Sequence, residues 1–440
     1  MAVINYFEGN PLFNAGVGAT CTIDGTFELD AAIMEGKDLT AGSVAGVKYI
    51  KNPINAAYAV KEKTGITLAP SAGTDGKGII LKVEENKEKP EGYMLKVTSD
   101  NVVISGGSEA GVFYGIQTLR KSLPVVQGEK VALPAVEIND APRFNYRGGM
   151  LDVSRHYIEL DSVKRFIDML AMHNINRFHW HLSEDQGWRI EIKCRPLLTE
   201  KGSMRKETVI GRTGKYDGKP HGGFYTQEQA KEIVAYAAER YITVIPEIDM
   251  PGHMRAAKKA MGKLLTDSAF DARVYKSAQN YTDNVIDVSK PYAVEFIDHV
   301  VTEIVKMHEE AGHPLTIFNI GGDEVPKGAL TKEEHQAFID AVLEILKRYN
   351  LQPMGWEEID HFCQPESGAI CYAWLNSESK PMQLAEAGYQ VVIATASHLY
   401  FDFAYCNHHE EKGLSWGGYT DEYRSFDWQP AQHPNIIGMN

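Results

Sequence analysis

The sequence predicts a (β/α)8 barrel preceded by a smaller α+β domain. Three observations predict it: strand-like and helix-like runs alternate from residue 146 onward, the strand-like runs are largely apolar, and about seven such units and the start of an eighth fill the rest of the chain. Apolar strands joined through helices favour a parallel sheet covered by helices. The number of units favours closure into a barrel over an open sheet.

The domain organisation follows from where the regular alternation of strand-like and helix-like runs begins. Residues 1–20 are predicted as an irregular lead-in, residues 21–140 as the α+β domain, and residues 141–440 as the barrel. Within the α+β domain, residues 91–111 predict two strands joined by a polar turn, and residues 108–123 predict a helix.

The barrel elements are predicted in order from their apolar spacing. The predicted strands are residues 147–155, 175–184, 241–250, 315–324, 352–359, 368–376, 389–403 and 435–440. Two of the helices between them begin with capping-box spacing, at Thr226 and Gln229 and at Thr331 and Glu334. Residues 360–368 are too short for a crossover helix, so we expect one helix to be missing. The last run stops at Asn440, so we expect an incomplete eighth strand.

Composition excludes several classes of protein. The 440 residues are 43% hydrophobic and 24% charged, as in ordinary globular proteins. The net charge is -14, which repels phosphate backbones, so nucleic acid is not an expected partner. No apolar run is long enough for a membrane span. The N-terminal residues show no leader peptide, which leaves the cytoplasm and a mature periplasmic or secreted form as alternatives.

Functional side chains are expected where the barrel strands end. Polar and aromatic residues gather at the ends of the predicted strands: Asp152, Arg155, His179, His181, Glu184, Asp185, Glu247, Asp249, His253, Asp323, Glu324, Trp356, Glu357, Glu358, Trp374, His398, Tyr400 and Asp402. Aromatic faces stack on sugar rings, and carboxylates and arginine bind hydroxyls, so this composition predicts a sugar site. A generic polar rim is the structural alternative.

The most specific feature is the double acid Asp323 and Glu324, which follows Gly321 and Gly322. Neighbouring residues of a strand point to opposite sides, so the two acids cannot easily flank one bond as acid and nucleophile. They fit substrate-assisted catalysis, in which one carboxylate protonates the leaving oxygen and the other holds an N-acetyl group that acts as the nucleophile. The glycines would let the backbone turn sharply.

Three alternatives stay open at this point. His179 and His181 have the HxH spacing of metal ligands, which would fit a metal-dependent barrel hydrolase. The rim could also belong to a non-catalytic sugar-binding barrel in which the acid is idle. A glycosidase with a protein nucleophile is the third alternative.

Six motifs then occur in a specific order: RGGMLDVSRHY, FHWHLSEDQGWRIEI, PEIDMPGH, IGGDE, GWEEI and YFD. In these motifs the chain resembles the β-N-acetylhexosaminidases of glycoside hydrolase family 20, over residues 20–440. The resemblance implies an exo-acting, retaining hydrolase that removes terminal β-linked N-acetylhexosamine (GlcNAc or GalNAc) through an oxazolinium intermediate. It implies no metal or other cofactor, and a partner that is an oligosaccharide or glycoconjugate.

The resemblance also implies roles for the candidate residues. Glu324 would be the general acid and then the general base, and Asp323 would orient the 2-acetamido group. Tyr400 would donate a hydrogen bond to the acetamide oxygen. The remaining roles are a pocket wall of Trp356 and Trp374, binding of ring hydroxyls by Arg155 and Asp402, and a supporting network of Glu184, Asp185 and His253.

Two departures from the family pattern affect these expectations. Glu184 stands where the family often has Asp; the longer glutamate side chain keeps the negative charge. The family's Trp-x-Glu pair after the eighth strand would come beyond Asn440, so we expect weakened stability and substrate affinity. The family tends towards exported enzymes, which favours a periplasmic or secreted mature form. The sequence leaves the oligomeric state open, a homo-oligomer included.

Overall fold

The computed structural model describes residues 21–30, 60, 62–64, 78–123, 125, 130–210, 215–267 and 283–440. The chain divides into two compact units, residues 1–145 with 171–174 and residues 146–170 with 175–440. The predicted lead-in, residues 1–20, lies outside the described residues. The domain limits given above stay a prediction.

The first unit contains a five-stranded sheet and a helix. Its elements are β1 Cys21–Asp30, β2 Gly78–Val83, β3 Tyr93–Val97, β4 Asn101–Gly106, α1 Glu109–Ser122 and β5 Lys130–Asp140. The sheet order is β1-β5-β3-β4-β2, with β2 and β4 parallel and the other pairs antiparallel. Ser108 caps α1 by accepting from the Gly111 N–H, and Gly115 packs closely on Ile104 of β4. The predicted α+β arrangement is confirmed.

The second unit begins with three barrel strands and their helices. In chain order they are β6 Tyr146–Asp152, α2 Leu160–Met172, β7 Arg177–His181, β8 Ser183–Glu184, β9 Gly187–Trp188, α3 Leu197–Glu200, β10 Met204–Arg205, β11 His221–Gly222, α4 Gln227–Ala238, β12 Thr243–Glu247, α5 Arg255–Met261 and α6 Pro291–Glu310. The capping box of Thr226 and Gln229 that was predicted for α4 is present.

The remaining elements complete the unit. They are β13 Ile317–Asn319, α7 Lys332–Arg348, β14 Gln352–Trp356, β15 Ile370–Ala373, α8 Lys380–Glu386, β16 Gln390–Ile393, α9 Ala396–Leu399, α10 Glu422–Phe426 and β17 Ile436–Met439. The capping box of Thr331 and Glu334 opens α7. Between β14 and β15 the chain forms only two 3₁₀ helices, Glu357–His361 and Pro365–Ser367, so the missing crossover helix is confirmed.

Eight strands close into one barrel in the order β12-β13-β14-β15-β16-β17-β6-β7. Every neighbouring pair is parallel, which confirms the predicted fold class. The expectation of an incomplete eighth strand is corrected. Although β17 has only four residues, it pairs with β16 on one side and with β6 on the other, through Gly438 opposite Tyr146 and Met439 opposite Arg147. β17 leaves no unpaired edge between the first and seventh barrel strands.

Buried side chains fill the barrel and position the site above them. The interior cluster consists of Tyr146, Ile245, Met354, Trp356, Ile370, Tyr372, Val392 and Ala394. The Tyr146 and Tyr372 hydroxyls hydrogen-bond inside it, which satisfies two polar groups that burial would otherwise penalise. Among the described residues, none of the helices combines the length and the apolarity that crossing a bilayer requires.

Candidate active site

The predicted site residues gather at the carboxyl-terminal end of the barrel. Each lies at or just after the end of a barrel strand: Arg155 after β6, Glu184 and Asp185 after β7, His253 after β12, Asp323 and Glu324 after β13, Trp356 at the end of β14, Trp374 after β15, and Tyr400 and Asp402 after β16. This is the end of a parallel barrel where loops carry function.

The double acid lies on a turn and not on a strand. β13 ends at Asn319, five residues before the predicted end, and Gly321, Gly322 and Glu324 have φ values of 67°, 93° and 48°. This left-handed backbone removes the alternation of side chains that a strand would impose. The expectation that the two carboxylates point to opposite sides is therefore wrong: Asp323 Oδ2 and Glu324 Oε2 lie 3.7 and 3.5 Å from the same atom, Nε2 of His253.

His253 is the buried cation beneath this pair. Its Nδ1 atom lies 2.8 Å from Glu184 Oε1, and its side chain is 1% exposed. Burial alone would lower the pKa of His253, but the charges of Glu184, Asp323 and Asp249 raise it well above its usual range. His253 is therefore an imidazolium at neutral pH, with one nitrogen facing Glu184 and the other facing the double acid.

Arg155 extends this network towards the pocket. Its Nη2 donates to Glu184 Oε1 and its Nη1 donates to Asp152 Oδ2, both at 2.6 Å. Although burial would raise the pKa of Asp152, Arg155 and His181 lower it to about 2, so Asp152 is ionised. Two carboxylates thus fix the guanidinium at the barrel mouth, where its side chain is 35% exposed and can reach a ligand.

Asp185 anchors the other side of the same network. Its carboxylate accepts from the Arg255 N–H at 3.1 Å and from Asn284 Nδ2 at 3.0 Å, and it lies 3.8 Å from His253 Nδ1. Burial and the charge of Glu184 raise its pKa to about 7. The structure therefore brings the three residues of the predicted supporting network together.

Asp249 is a site residue for which no role was predicted. It is buried and accepts from the Gly322 N–H at 3.0 Å, which holds the glycine turn in place. Burial and the charge of Asp323 raise the pKa of Asp249 well above its usual range. Asp249 also forms a side-chain hydrogen bond with Asp323. Its position two residues after β12 was the only signal in the sequence.

Aromatic rings form a wall beside the acids. Trp356 and Trp374 meet edge to face with ring centroids 6.2 Å apart, and Trp374 meets Trp416 at 5.9 Å. Trp356 is only 5% exposed, so it forms the buried base of the wall, whereas Trp374 is partly exposed. Trp416 was missed because it lies in the long segment after β16, far from any strand end.

Tyr400 and Asp402 follow β16 on the same side as the wall. Tyr400 is 6.3 Å from the ring of Trp416, and burial together with the charge of Asp323 raises the pKa of Tyr400 well above its usual range. The Tyr400 hydroxyl thus stays protonated and available as a donor. Asp402 is exposed and free to meet a ligand.

In the part of the chain that the structure describes, three groups of histidines and acids contain atoms close enough to share a cation. They are His179, His181 and Glu247; Glu184, Asp249 and His253; and His253, Asp323 and Glu324. In the first group, His179 Nε2 lies 2.5 Å from Glu247 Oε2, and His181 Nδ1 bonds to the same oxygen. Two ligand atoms on one tetrahedral zinc stand about 3.3 Å apart. The HxH pair is therefore arranged as hydrogen-bond donors to Glu247.

A closed parallel barrel with neighbouring carboxylates and tryptophans at its strand ends is the arrangement of barrel glycoside hydrolases. The family model described as glycosyl hydrolase family 20, catalytic domain, matches residues 144–436, and the model described as domain 2 of the same family matches residues 44–141. The chain belongs to glycoside hydrolase family 20. A model described as asparaginase matches residues 1–75, which lie outside the barrel.

Curated relatives and solved structures agree with this membership. A beta-hexosaminidase of Vibrio furnissii is 36% identical over 411 residues, which cover 89% of this chain and 66% of that protein. A beta-hexosaminidase of Porphyromonas gingivalis is 42% identical over 295 residues, which cover 62% of this chain and 36% of that protein. The chain therefore spans a third to two thirds of these relatives.

The fold likeness extends over nearly the whole chain. An exo beta-N-acetylglucosaminidase of this family from Vibrio harveyi, solved in complex with N-acetylglucosamine, superimposes with a TM-score of 0.80 at 32% identity. The match covers 98% of this chain and 68% of that one. A beta-N-acetylhexosaminidase from Streptomyces coelicolor also gives a TM-score of 0.80, at 29% identity, over 98% of this chain and 85% of that one.

Proposed function

We propose that this chain is an exo-acting, retaining β-N-acetylhexosaminidase. It would remove terminal β-linked GlcNAc or GalNAc from oligosaccharides or glycoconjugates by substrate-assisted catalysis. The observation that carries the proposal is the convergence of Asp323 and Glu324 on the His253 imidazolium, beside the wall of Trp356 and Trp374. A relative from Vibrio harveyi was solved in complex with N-acetylglucosamine, which supports the choice of sugar.

The two acids differ in exposure in the way that this chemistry needs. The Glu324 side chain is 34% exposed and can reach a glycosidic oxygen, whereas the Asp323 side chain is 13% exposed and lies deeper. Glu324 would be the general acid and base, and Asp323 would orient the acetamide and stabilise positive charge on it. Neither residue needs to attack the sugar, since the nucleophile comes from the substrate.

In the first step, Glu324 would transfer its proton to the glycosidic oxygen as the bond from that oxygen to C1 breaks. The acetamide carbonyl oxygen would attack C1 and form the oxazolinium ion, which Asp323 would stabilise by its charge. The His253 imidazolium, 3.5 Å from Glu324, would stabilise the carboxylate left behind. In the second step, Glu324 would take a proton from water, whose oxygen attacks C1 and opens the oxazolinium ring with retention.

The remaining residues would bind the sugar. Tyr400 would donate to the acetamide oxygen, and Trp356 and Trp374 would enclose the acetamide methyl. Arg155 and Asp402 would bind ring hydroxyls. The two carboxylates that hold Arg155 support this role, because a guanidinium fixed before binding loses little conformational entropy on binding.

The test compares initial rates on 4-nitrophenyl N-acetyl-β-glucosaminide and on the plain β-glucoside. We expect turnover of the first alone. On N,N′-diacetylchitobiose, which has a poor leaving group, Glu324→Gln should lower kcat by about 10²–10⁴-fold. Glu344→Gln, on the exposed face of α7, is the matched control and should keep the wild-type rate.

Other outcomes would favour the alternatives. Equal turnover of both substrates would indicate a protein nucleophile. Binding of N-acetylglucosamine without turnover would indicate a sugar-binding barrel. Loss of activity on adding a chelator, with recovery on adding a metal, would indicate a metal-dependent hydrolase.

A further inference from the structure

A single buried carboxylate holds Trp356 from below. Glu247, at the end of β12, is 0% exposed. Its Oε1 accepts from the indole Nε1 of Trp356 at 2.8 Å, and its Oε2 accepts from His179 Nε2 at 2.5 Å and from His181 Nδ1. We call these four residues the Glu247 hub. The hub joins the second, third and fifth strands of the barrel at one level.

The hub is a balanced arrangement of charge. An isolated buried carboxylate is strongly unfavourable, and it persists only if it is paired and hydrogen-bonded. The charges of Glu247 and Asp152 outweigh the burial of His181, so His181 is an imidazolium and Glu247 is an anion. The Trp356 N–H therefore donates to a charged acceptor, which makes a stronger bond than a neutral acceptor would.

This bond is the directional restraint on the Trp356 ring. The neighbouring rings of His179, Tyr372 and Trp374 contact it at tilted or edge-on angles, with centroids 5.8, 5.4 and 6.2 Å away. Close packing in the barrel interior limits the conformations open to this 5% exposed side chain. The hydrogen bond to Glu247 adds a polar, directional contact at the indole N–H.

We propose that Glu247 is a positioning residue that fixes the Trp356 ring and thereby sets the size of the N-acyl group that the site accepts. The inference rests on the proposed function, in which Trp356 encloses the acetamide methyl. It assigns specificity to a residue that touches no substrate. A Trp356 ring held by Glu247 would exclude acyl chains longer than acetyl. Without that hydrogen bond, the ring could move and admit them.

The variant that tests this is Glu247→Gln, which keeps the size of the side chain and one acceptor but removes the charge. The measured quantity is the ratio of kcat/KM for the N-acetyl and N-butanoyl forms of 4-nitrophenyl β-glucosaminide. Because one methylene in a well-fitted pocket changes kcat/KM by about 10–200-fold, we expect the variant to lower this ratio about tenfold or more. Tyr372→Phe removes a buried hydrogen bond of the same core without touching Glu247, and should leave the ratio unchanged.

A second measurement is independent of turnover. In ¹H–¹⁵N spectra of the wild-type chain, the indole cross-peak that disappears in Trp356→Phe should lie downfield and exchange slowly with solvent. In Glu247→Gln it should move upfield and exchange faster. If Glu247→Gln does not fold, the chemical shift and exchange rate of the Trp356 indole can still be measured with the wild-type chain and Trp356→Phe.

The outcomes separate the two proposals. A wild-type acyl ratio in a folded Glu247→Gln chain would overturn the inference, and so would a Trp356 cross-peak that exchanges as fast as exposed indoles. Failure of the wild-type chain to hydrolyse either glucosaminide would overturn the proposed function instead. The indole spectra would then still decide whether Glu247 holds Trp356.

Discussion

His181 should make the stability of the chain fall between neutral and alkaline pH. Burial alone would lower its pKa, but the charges of Glu247 and Asp152 raise it from 6.5 to about 9. A histidine with a raised pKa contributes stability that is fully present below its unfolded value and is lost as pH rises through its folded value. Since each pKa unit corresponds to about 1.36 kcal/mol, the loss between pH 6.5 and 9.5 is about 3 kcal/mol.

The assay is urea denaturation of the wild-type chain and of His181→Asn at pH 6.5, 8.0 and 9.5, followed by tryptophan fluorescence. His181→Asn leaves Glu247 with one charged partner fewer, which costs about 3–5 kcal/mol at pH 6.5. The difference in unfolding free energy between the two chains should shrink by about 3 kcal/mol at pH 9.5, because the wild-type chain has then lost the proton as well.

A histidine of the opposite kind supplies the control. His308 is buried on α6, and burial lowers its pKa to about 4, so it is neutral throughout this range. Because only the unfolded state still titrates near pH 6.5, the gap between the wild-type chain and His308→Asn should change by less than about 0.5 kcal/mol from pH 6.5 to 9.5. A gap for His181→Asn that is equally constant would refute the reasoning, since it would mean that His181 is neutral in the hub.

Two further predictions concern the ends of the fourth and fifth strands. A Cβ on Gly321 would lie 2.0 Å from Asp249 Oδ1, whereas one on Gly368 would meet no atom within 4 Å, and both glycines have positive φ. Gly368→Ala should lose roughly 1 kcal/mol of unfolding free energy through backbone strain alone. Gly321→Ala should lose more, because it adds the clash with Asp249. Equal melting temperatures for the two variants would contradict this. Burial and the charge of Asp323 raise the pKa of Glu358 to about 7, so kcat/KM profiles of the wild-type chain and Glu358→Gln should coincide below about pH 6 and diverge above 7 as Glu358 ionises. Parallel profiles would contradict this.

Features encoded by local spacing could be predicted from the sequence. The capping boxes of Thr226 and Thr331 are present because they depend on residues three positions apart. The barrel follows from the alternation of apolar strands and amphipathic helices, and the missing helix between β14 and β15 follows from the length of that connection. Arg155 and Trp356 lie at or close after strand ends, as their place in the sequence indicated. Tyr400 is predicted within a strand over residues 389–403, but β16 ends at Ile393 and Tyr400 follows α9.

Features that depend on backbone conformation could not be predicted in the same way. The alternation of side chains holds only within a strand, and β13 stops at Asn319, before Asp323 and Glu324. The positive φ of Glu324 is uncommon for a residue with a side chain, and no spacing rule signals it. Trp416 lies in a segment without periodicity, so only the folded chain shows that it contacts Trp374.

For the HxH pair, residue type and spacing alone do not distinguish a metal site from hydrogen bonds to a carboxylate. His179 and His181 point to one side of β7, and a metal or a carboxylate could face them there. The register of the neighbouring strand decides between the two, because Ile245 lies opposite His179 and Glu247 lies opposite His181. A slip of one residue would turn Glu247 to the other face of β12 and leave both imidazoles without their acceptor. The buried carboxylate and the strand register therefore depend on each other: the register places Glu247 between the histidines and Trp356, and the hydrogen bonds of Glu247 penalise every other register.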